Sequence, residues 1–415
     1  MSSQTKHELP PPLDLTRWRS VPALLMGIGA TLSFIGVVVS PEQFGFSWLL
    51  SFMFFLSIAI GALFLVMVHH LTDAGWSVAT RRVCEHLGSL IFPWLVILFL
   101  PIAFFAKSIY SWMSIDPATN TSVAAKWPVF TMPGFYITSA IFFAIWWLLS
   151  SSLSYWSLRQ DKTGEPLCTY RMRFHSGWGI VANSLLLTFA AALWMKALQY
   201  QWFSAVYGVY FFSICAWAAL ATVYVITALL QRQRVLDRVL HDNQFFYLGL
   251  LFFAFTVFSA YNEFAQYFVV WNANSPEETF WYILRTHGSW WAVSMILIFG
   301  HFFVPFFLLL SVRAKTSFKI VLPACAWAWL MHFLDLSFNI LPALPQNQGG
   351  YPFQWLWLQL GCFAFMAGFL GWVFLKKFNS HAPFPLKDPR LHEAMGINLE
   401  PDECEDASLP AGGDR

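Results

Sequence analysis

The segment Phe245–Arg313 reads FFYLGLLFFAFTVFSAYNEFAQYFVVW (245–271), NANSPEE (272–278) and TFWYILRTHGSWWAVSMILIFGHFFVPFFLLLSVR (279–313). Each apolar arm exceeds the ~20 residues needed to cross a bilayer, and the polar bend between them is short, so the stretch predicts a transmembrane helical hairpin. The first arm carries Tyr261, Asn262, Glu263, Gln266 and Tyr267; the second carries Arg285, His287, His301 and Pro305. Ionisable groups at membrane depth are costly and are kept from lipid, so they mark a buried pair, a proton relay or a ligand site.

The rest of the chain agrees with this class. Hydrophobic residues make up 58% of 415 residues and charged ones 11%, with a mean hydropathy of +0.56. That leaves too little polar surface for a water-soluble globule. The 22 Trp and 44 Phe suit aromatic belts at the membrane interfaces. The net charge of +2 does not signal nucleic-acid binding, because the basic residues are spread between apolar runs and form no single patch.

Apolar runs fall at 21–39, 48–71, 87–110, 131–157, 175–196, 204–231, 243–271, 277–312, 318–338 and 352–377. These predict an all-α integral membrane protein of ten transmembrane helices spanning 21–377, preceded by an N-terminal segment 1–20 and followed by a C-terminal tail 378–415. The N-terminal segment has no small-residue cleavage site after its first apolar run, which therefore reads as a retained helix. Ten spans put both termini on one side. All but four of the 24 Lys and Arg fall on that side, the exceptions being Lys107, Lys126, Lys196 and Arg285. The positive-inside rule then makes both termini cytoplasmic. The tail is rich in Pro, Glu and Asp and reads as disordered or docked on a partner.

Cysteines 84, 168, 215, 325, 362 and 404 form no close ligand pair, so neither a zinc nor an iron–sulfur site is encoded; a metal would need histidines or another subunit. Candidate chemistry rests on histidines and buried carboxylates. His69, His70 and Asp73 close the second run, and the loop 74–86 that follows carries Arg81, Arg82, Glu85 and His86. It reads as a basic loop held on lipid phosphates, as a proton entrance, or as a docking surface for an acidic partner. His332, Asp335 and Asn339 are spaced i, i+3, i+7 and share one helical face. That face suits a structural hydrogen-bonded cluster, a proton relay or a quinol contact, since imidazole titrates near neutral pH and a carboxylate tunes it. His287 and His301 are fourteen residues apart, which nearly restores the same face about 21 Å along a helix. A pair of b-type haems would need a second helix with a matching pair, and there is none. Pro93, Pro101, Pro305 and Pro323 interrupt runs without an evident two-half symmetry, which keeps a small-molecule secondary transporter as an alternative.

The runs FSAYNEFAQYF (258–268), PEETFWY (276–282) and GHFFVPFF (300–307), together with Gly75-Trp76-Ser77-Val78, Arg81-Arg82 and Glu85, resemble the NrfD-like ten-helix membrane subunits of alternative complex III, the bacterial quinol:cytochrome c oxidoreductase. The chain is most similar to the second, F-type membrane subunit. The resemblance implies two four-helix bundles flanked by one extra helix at each end, in the bacterial cytoplasmic membrane. It implies an iron–sulfur subunit related to molybdopterin oxidoreductases, multihaem cytochrome c subunits and a sister ten-helix subunit as partners, with the haem c and the clusters held by those partners and no cofactor in this chain. Menaquinol or another quinol would be the substrate of the complex, and a quinol site on this chain would lie near His332 and Asp335. His69, His70, Asp73, Glu263, Arg285, His287, His301, His332 and Asp335 are the candidates for a proton path. Counting from the bend, Glu263 lies eleven residues before Asn274 and Arg285 eleven after, so the two are expected at one depth and in contact, with Tyr261, Gln266 and His287 around them.

Overall fold

A computed structural model describes residues 15–236, 239–240 and 242–395. Lys6, the prolines at 10–12, Arg238, Cys404, Arg415 and the acidic stretch 396–415 lie outside the described residues. Among those described every element is helical, and ten helices are long and apolar enough to cross a membrane: α1 (Ser20–Val39), α2 (Pro41–Thr72), α3 (Gly75–Phe104), α4 (Met132–Thr163), α5 (Pro166–Gln199), α6 (Tyr207–Arg232), α7 (Asn243–Ala273), α8 (Ser289–Leu309), α9 (Phe318–Ala343) and α10 (Phe353–Phe378).

Local signals set several ends. Ser40 accepts from the Gln43 amide and Pro41 opens α2, so this helix starts well before its apolar run at 48. Thr131 accepts from the Gly134 amide at the start of α4, and Gly164 at φ 70° stops it. Two spans are irregular next to a proline. In α3 the backbone leaves helical geometry at Phe92, before Pro93, and in α8 a π-turn at Ile298–Phe303 precedes Pro305.

The eighth span is shorter than its apolar run. Pro276–Ile283 forms a short helix, the chain turns through residues 284–288, and α8 starts at Ser289. The break is made by Gly288 at φ 56°, where an added Cβ would lie 2.1 Å from the Gly349 carbonyl oxygen.

α2 and α6 are the most enclosed spans and lie against each other. Their contact is close because Gly61 faces the Cys215 carbonyl oxygen; an added Cβ would lie 2.2 Å from it. α3 and α5 pack on α2, and α4 on α3 and α5. α7 and α9 pack on α6, and α8 on α7 and α9. α1 and α10 pack on each other, and α10 also lies along α2.

At the end carrying the basic loops, the segment after α10 folds back over the bundle. Lys387 donates to the Lys162 carbonyl at 2.6 Å, the Leu386 amide to Asp161 at 3.0 Å and Gln244 to the Ala394 carbonyl at 2.8 Å. Up to Met395 the tail is thus docked on its own chain. At the opposite end the loop after α9 meets the start of α2 through Gln43 and Asn347, 2.9 Å apart.

Candidate functional site

His332, Asp335 and Asn339 share a face of α9, and all three are buried, but they reach to different helices. The His332 Nε2 lies 2.7 Å from the Ser57 hydroxyl on α2. Asp335 instead accepts from the Tyr210 hydroxyl on α6 at 2.6 Å. Asn339 donates to the same Tyr210 oxygen at 2.8 Å and accepts from the Tyr207 hydroxyl at 3.2 Å. His332 and Asp335 are therefore not a His–Asp pair. They are neighbours on α9 that bond to different helices, His332 to α2 through its Nε2 and Asp335 to α6, and the His332 Nδ1 is left unbonded among the described residues. Ser57 takes the His332 Nε2, Tyr210 takes one oxygen of the carboxylate, and the Phe54 ring lies 5.0 Å from the imidazole.

Glu263 meets His301, not Arg285. The His301 Nδ1 lies 2.9 Å from the carboxylate, and its ring stands edge-on to Trp217 at 4.2 Å. The Glu263–His301 pair ties α7 to α8 and reaches α6 through Trp217, while Asp335 and Asn339 tie α9 to α6 through Tyr210. The expected Glu263–Arg285 contact fails because the second arm is not one helix from the bend. With the break at 284–288, the residue of α8 at the depth of Glu263 is His301, twelve residues in from Ser289, against ten from Glu263 to Ala273.

Arg285 instead sits at the break and caps the C-terminal end of α9. It donates to the Phe338 carbonyl at 2.8 Å, the Asn339 carbonyl at 3.0 Å and the Trp281 carbonyl at 2.8 Å, with its guanidinium 3.5 Å from the Trp281 ring. Carbonyls at a helix C-terminus carry the negative end of the dipole, so the cation is met without a carboxylate.

His287 lies in the same break, exposed and off the α8 helix, so the fourteen-residue pairing with His301 does not exist as a shared face. Gln266 accepts from Ser204 at 3.4 Å, and Tyr261 is 65% exposed on the outer face of α7.

A second network closes the basic end. Residues 78–88 are helical, and Arg81 and Arg82 are both 1% exposed, which rules out a loop resting on lipid phosphates. Arg81 pairs with Asp388 and, at 3.1 Å, with Glu85. Arg82 pairs with Glu85 at 2.8 Å and with Asp161. Arg390 reaches Asp73 at 2.6 Å and Asp388 at 3.3 Å, and Arg173 reaches Asp73 at 2.8 Å. Four arginines (81, 82, 173, 390) thus face four carboxylates (Asp73, Glu85, Asp161, Asp388). The acidic partner of this basic helix is the protein's own tail and α4.

Burial alone would raise the Asp388 carboxyl, but Arg81 and Arg390 hold it below the usual carboxylate value. His69 is part of the network. Arg81 can only donate, so at 3.3 Å the His69 Nε2 must accept, which leaves the Nδ1 proton for the Ser77 hydroxyl at 2.5 Å. His70, beside it, is buried with neither ring nitrogen bonded among the described residues.

Of the candidates, Glu263, His301, His332 and Asp335 come together in one region, His69, His70 and Asp73 in a second, and Arg285 and His287 at the break. Tyr207 and Tyr210 were missed, although their i, i+3 spacing on an otherwise apolar helix was a legible signal. Asp388 carried none. Among the described residues no group of three His, Cys, Asp or Glu side chains is placed to hold a metal ion. Compared with known proteins, the chain matches no family model and no curated relative.

Proposed function

We propose that this chain is an integral membrane subunit of a bacterial quinol:cytochrome c oxidoreductase of the alternative complex III type, similar to its F-type NrfD-like subunit. It lies in the cytoplasmic membrane with both termini inside, as two four-helix bundles with α1 and α10 flanking. It scaffolds an iron–sulfur subunit, multihaem cytochromes c and a sister ten-helix subunit, and carries a buried proton route.

The observation that carries the reading is the cluster Glu263, His301, Asp335, Tyr210 and Asn339, drawn from α6, α7, α8 and α9. Two carboxylates, an imidazole and a phenol within one membrane interior form a set that can pass a proton between neighbours. The His301 Nε2 and the His332 Nδ1 are buried and unbonded among the described residues, so each imidazole keeps a free nitrogen for a transferred proton. Glu263 supports a partner as well. About 15 Å from the end of α7 it keeps 30% of its side chain exposed, where lipid would be a poor neighbour and another subunit a good one.

Purification in mild detergent with subunit identification and a visible spectrum tests the reading. A multihaem cytochrome and an iron–sulfur protein are expected to co-purify. A chain that runs alone and colourless, and that drives solute uptake in vesicles, would replace it with the transporter.

A further inference from the structure

Two of the four cations that break the positive-inside pattern, Lys126 and Lys196, lie far apart in sequence and meet at one cavity of about 450 Å³ at the end of the bundle opposite the basic loops. Lys126 comes from the connection between α3 and α4, and its ammonium donates to the Tyr200 carbonyl. Lys196 comes from the last turns of α5, and its ammonium donates to the Ser204 carbonyl at 3.4 Å. The two are close enough to act on each other electrostatically. Among the described residues no carboxylate pairs with either, while Arg81, Arg82, Arg173 and Arg390 at the opposite end all meet carboxylates. Burial pushes the Lys126 ammonium below its ordinary value, so the pair gains from an anion that the chain itself does not supply.

The walls say what kind of anion. Below the lysines the cavity runs between α4 and α5 past Thr138, Phe142, Phe189 and Leu193. Phe142 is ten residues into α4, so the slot descends about 15 Å from the interface. A π-turn at Ala191–Met195 displaces the α5 backbone here, and Ala192 lines the slot. Phe189, in the wall of the slot, is 59% exposed, so the slot opens on the side that faces lipid. A free phosphate would use the two ammonium groups and leave a 15 Å apolar slot without a purpose. A phospholipid uses both.

We infer that Lys126 and Lys196 hold the phosphate of an anionic phospholipid in the leaflet at this end, with an acyl chain lying between α4 and α5. Each ammonium has three N–H donors and spends one on a carbonyl; with the Phe130 ring 4.9 Å from Lys126 and the Phe203 ring 4.7 Å from Lys196, one donor apiece is left for the phosphate oxygens.

The test is native mass spectrometry of the full chain in detergent, titrated with phosphatidylglycerol or phosphatidylethanolamine. Two lysines should favour the anionic lipid by about thirtyfold. Lys126→Gln combined with Lys196→Gln should abolish the preference, and Lys107→Gln, an exposed lysine of the same connection, should leave it intact. Equal binding of the two lipids by the unaltered chain, or an unchanged preference in a folded double variant, overturns the inference. So does glycerol phosphate competing as well as phosphatidylglycerol, which would make the site one for a soluble anion. The lipid and glycerol phosphate titrations use the unaltered chain, so they decide the matter even if the double variant fails to fold.

Discussion

The charged network at the basic end and the polar cluster inside α6–α9 are built from the same residue types, yet they are balanced differently. At the basic end four arginines meet four carboxylates, with Arg81 and Arg82 each bonded to several partners. In the interior Glu263 and Asp335 put two acids against the His301 imidazole, with no arginine or lysine paired to either among the described residues. A fully compensated network has one favoured protonation state and one geometry, which suits a clamp. An under-compensated one has several states close in energy, which suits a group that must gain and lose a proton.

The sharpest way to break this contrast is at the clamp. Arg81→Ala leaves Asp388 and Glu85 buried with a lost partner and should destabilise the chain by about 3–5 kcal/mol, seen as a lowered melting temperature in detergent. A change within the error of the measurement would remove the clamp from the comparison. Tyr210→Phe, in the interior, removes the hydroxyl that donates to Asp335 and accepts from Asn339, leaving the carboxylate only its contact with Asn339, and should cost about 1–3 kcal/mol by the same measurement. Asp335→Asn keeps an acceptor for Tyr210 and should move stability by less than about 1 kcal/mol. Coupled proton movement in the reconstituted complex should nevertheless fall, and unchanged coupling would make the interior cluster a clamp as well.

The smallest effect is in the pH dependence. Asp388 is held below its ordinary value, so its contribution is fully present above the unfolded carboxyl value of about 4 and is lost only as pH falls through the lower folded value. Protease protection of the 379–395 segment should therefore be flat from neutral pH down to about 4 and decline below it. A loss of protection between pH 7 and 5 would show that another group holds the tail.

The chain by itself determined the membrane class, the number of spans, the basic end and the shared face of His332, Asp335 and Asn339. All of these rest on length, hydropathy and the helical period, which are local properties of consecutive residues. Partners were decided only by the tertiary structure. Glu263 meets His301 because the break at 284–288 resets the register of α8, and Gly288 makes that break through its positive φ against the Gly349 carbonyl. Arg285 needs no carboxylate because the end of α9 is brought beside it. Arg81 and Asp388 lie 307 positions apart and meet because the tail folds back across the start of α3 and the end of α4. A helix period fixes which face a side chain is on. What stands opposite that face depends on the rotation and depth of a neighbouring helix, and those are set by close contacts such as Gly61 on Cys215 that no local pattern encodes.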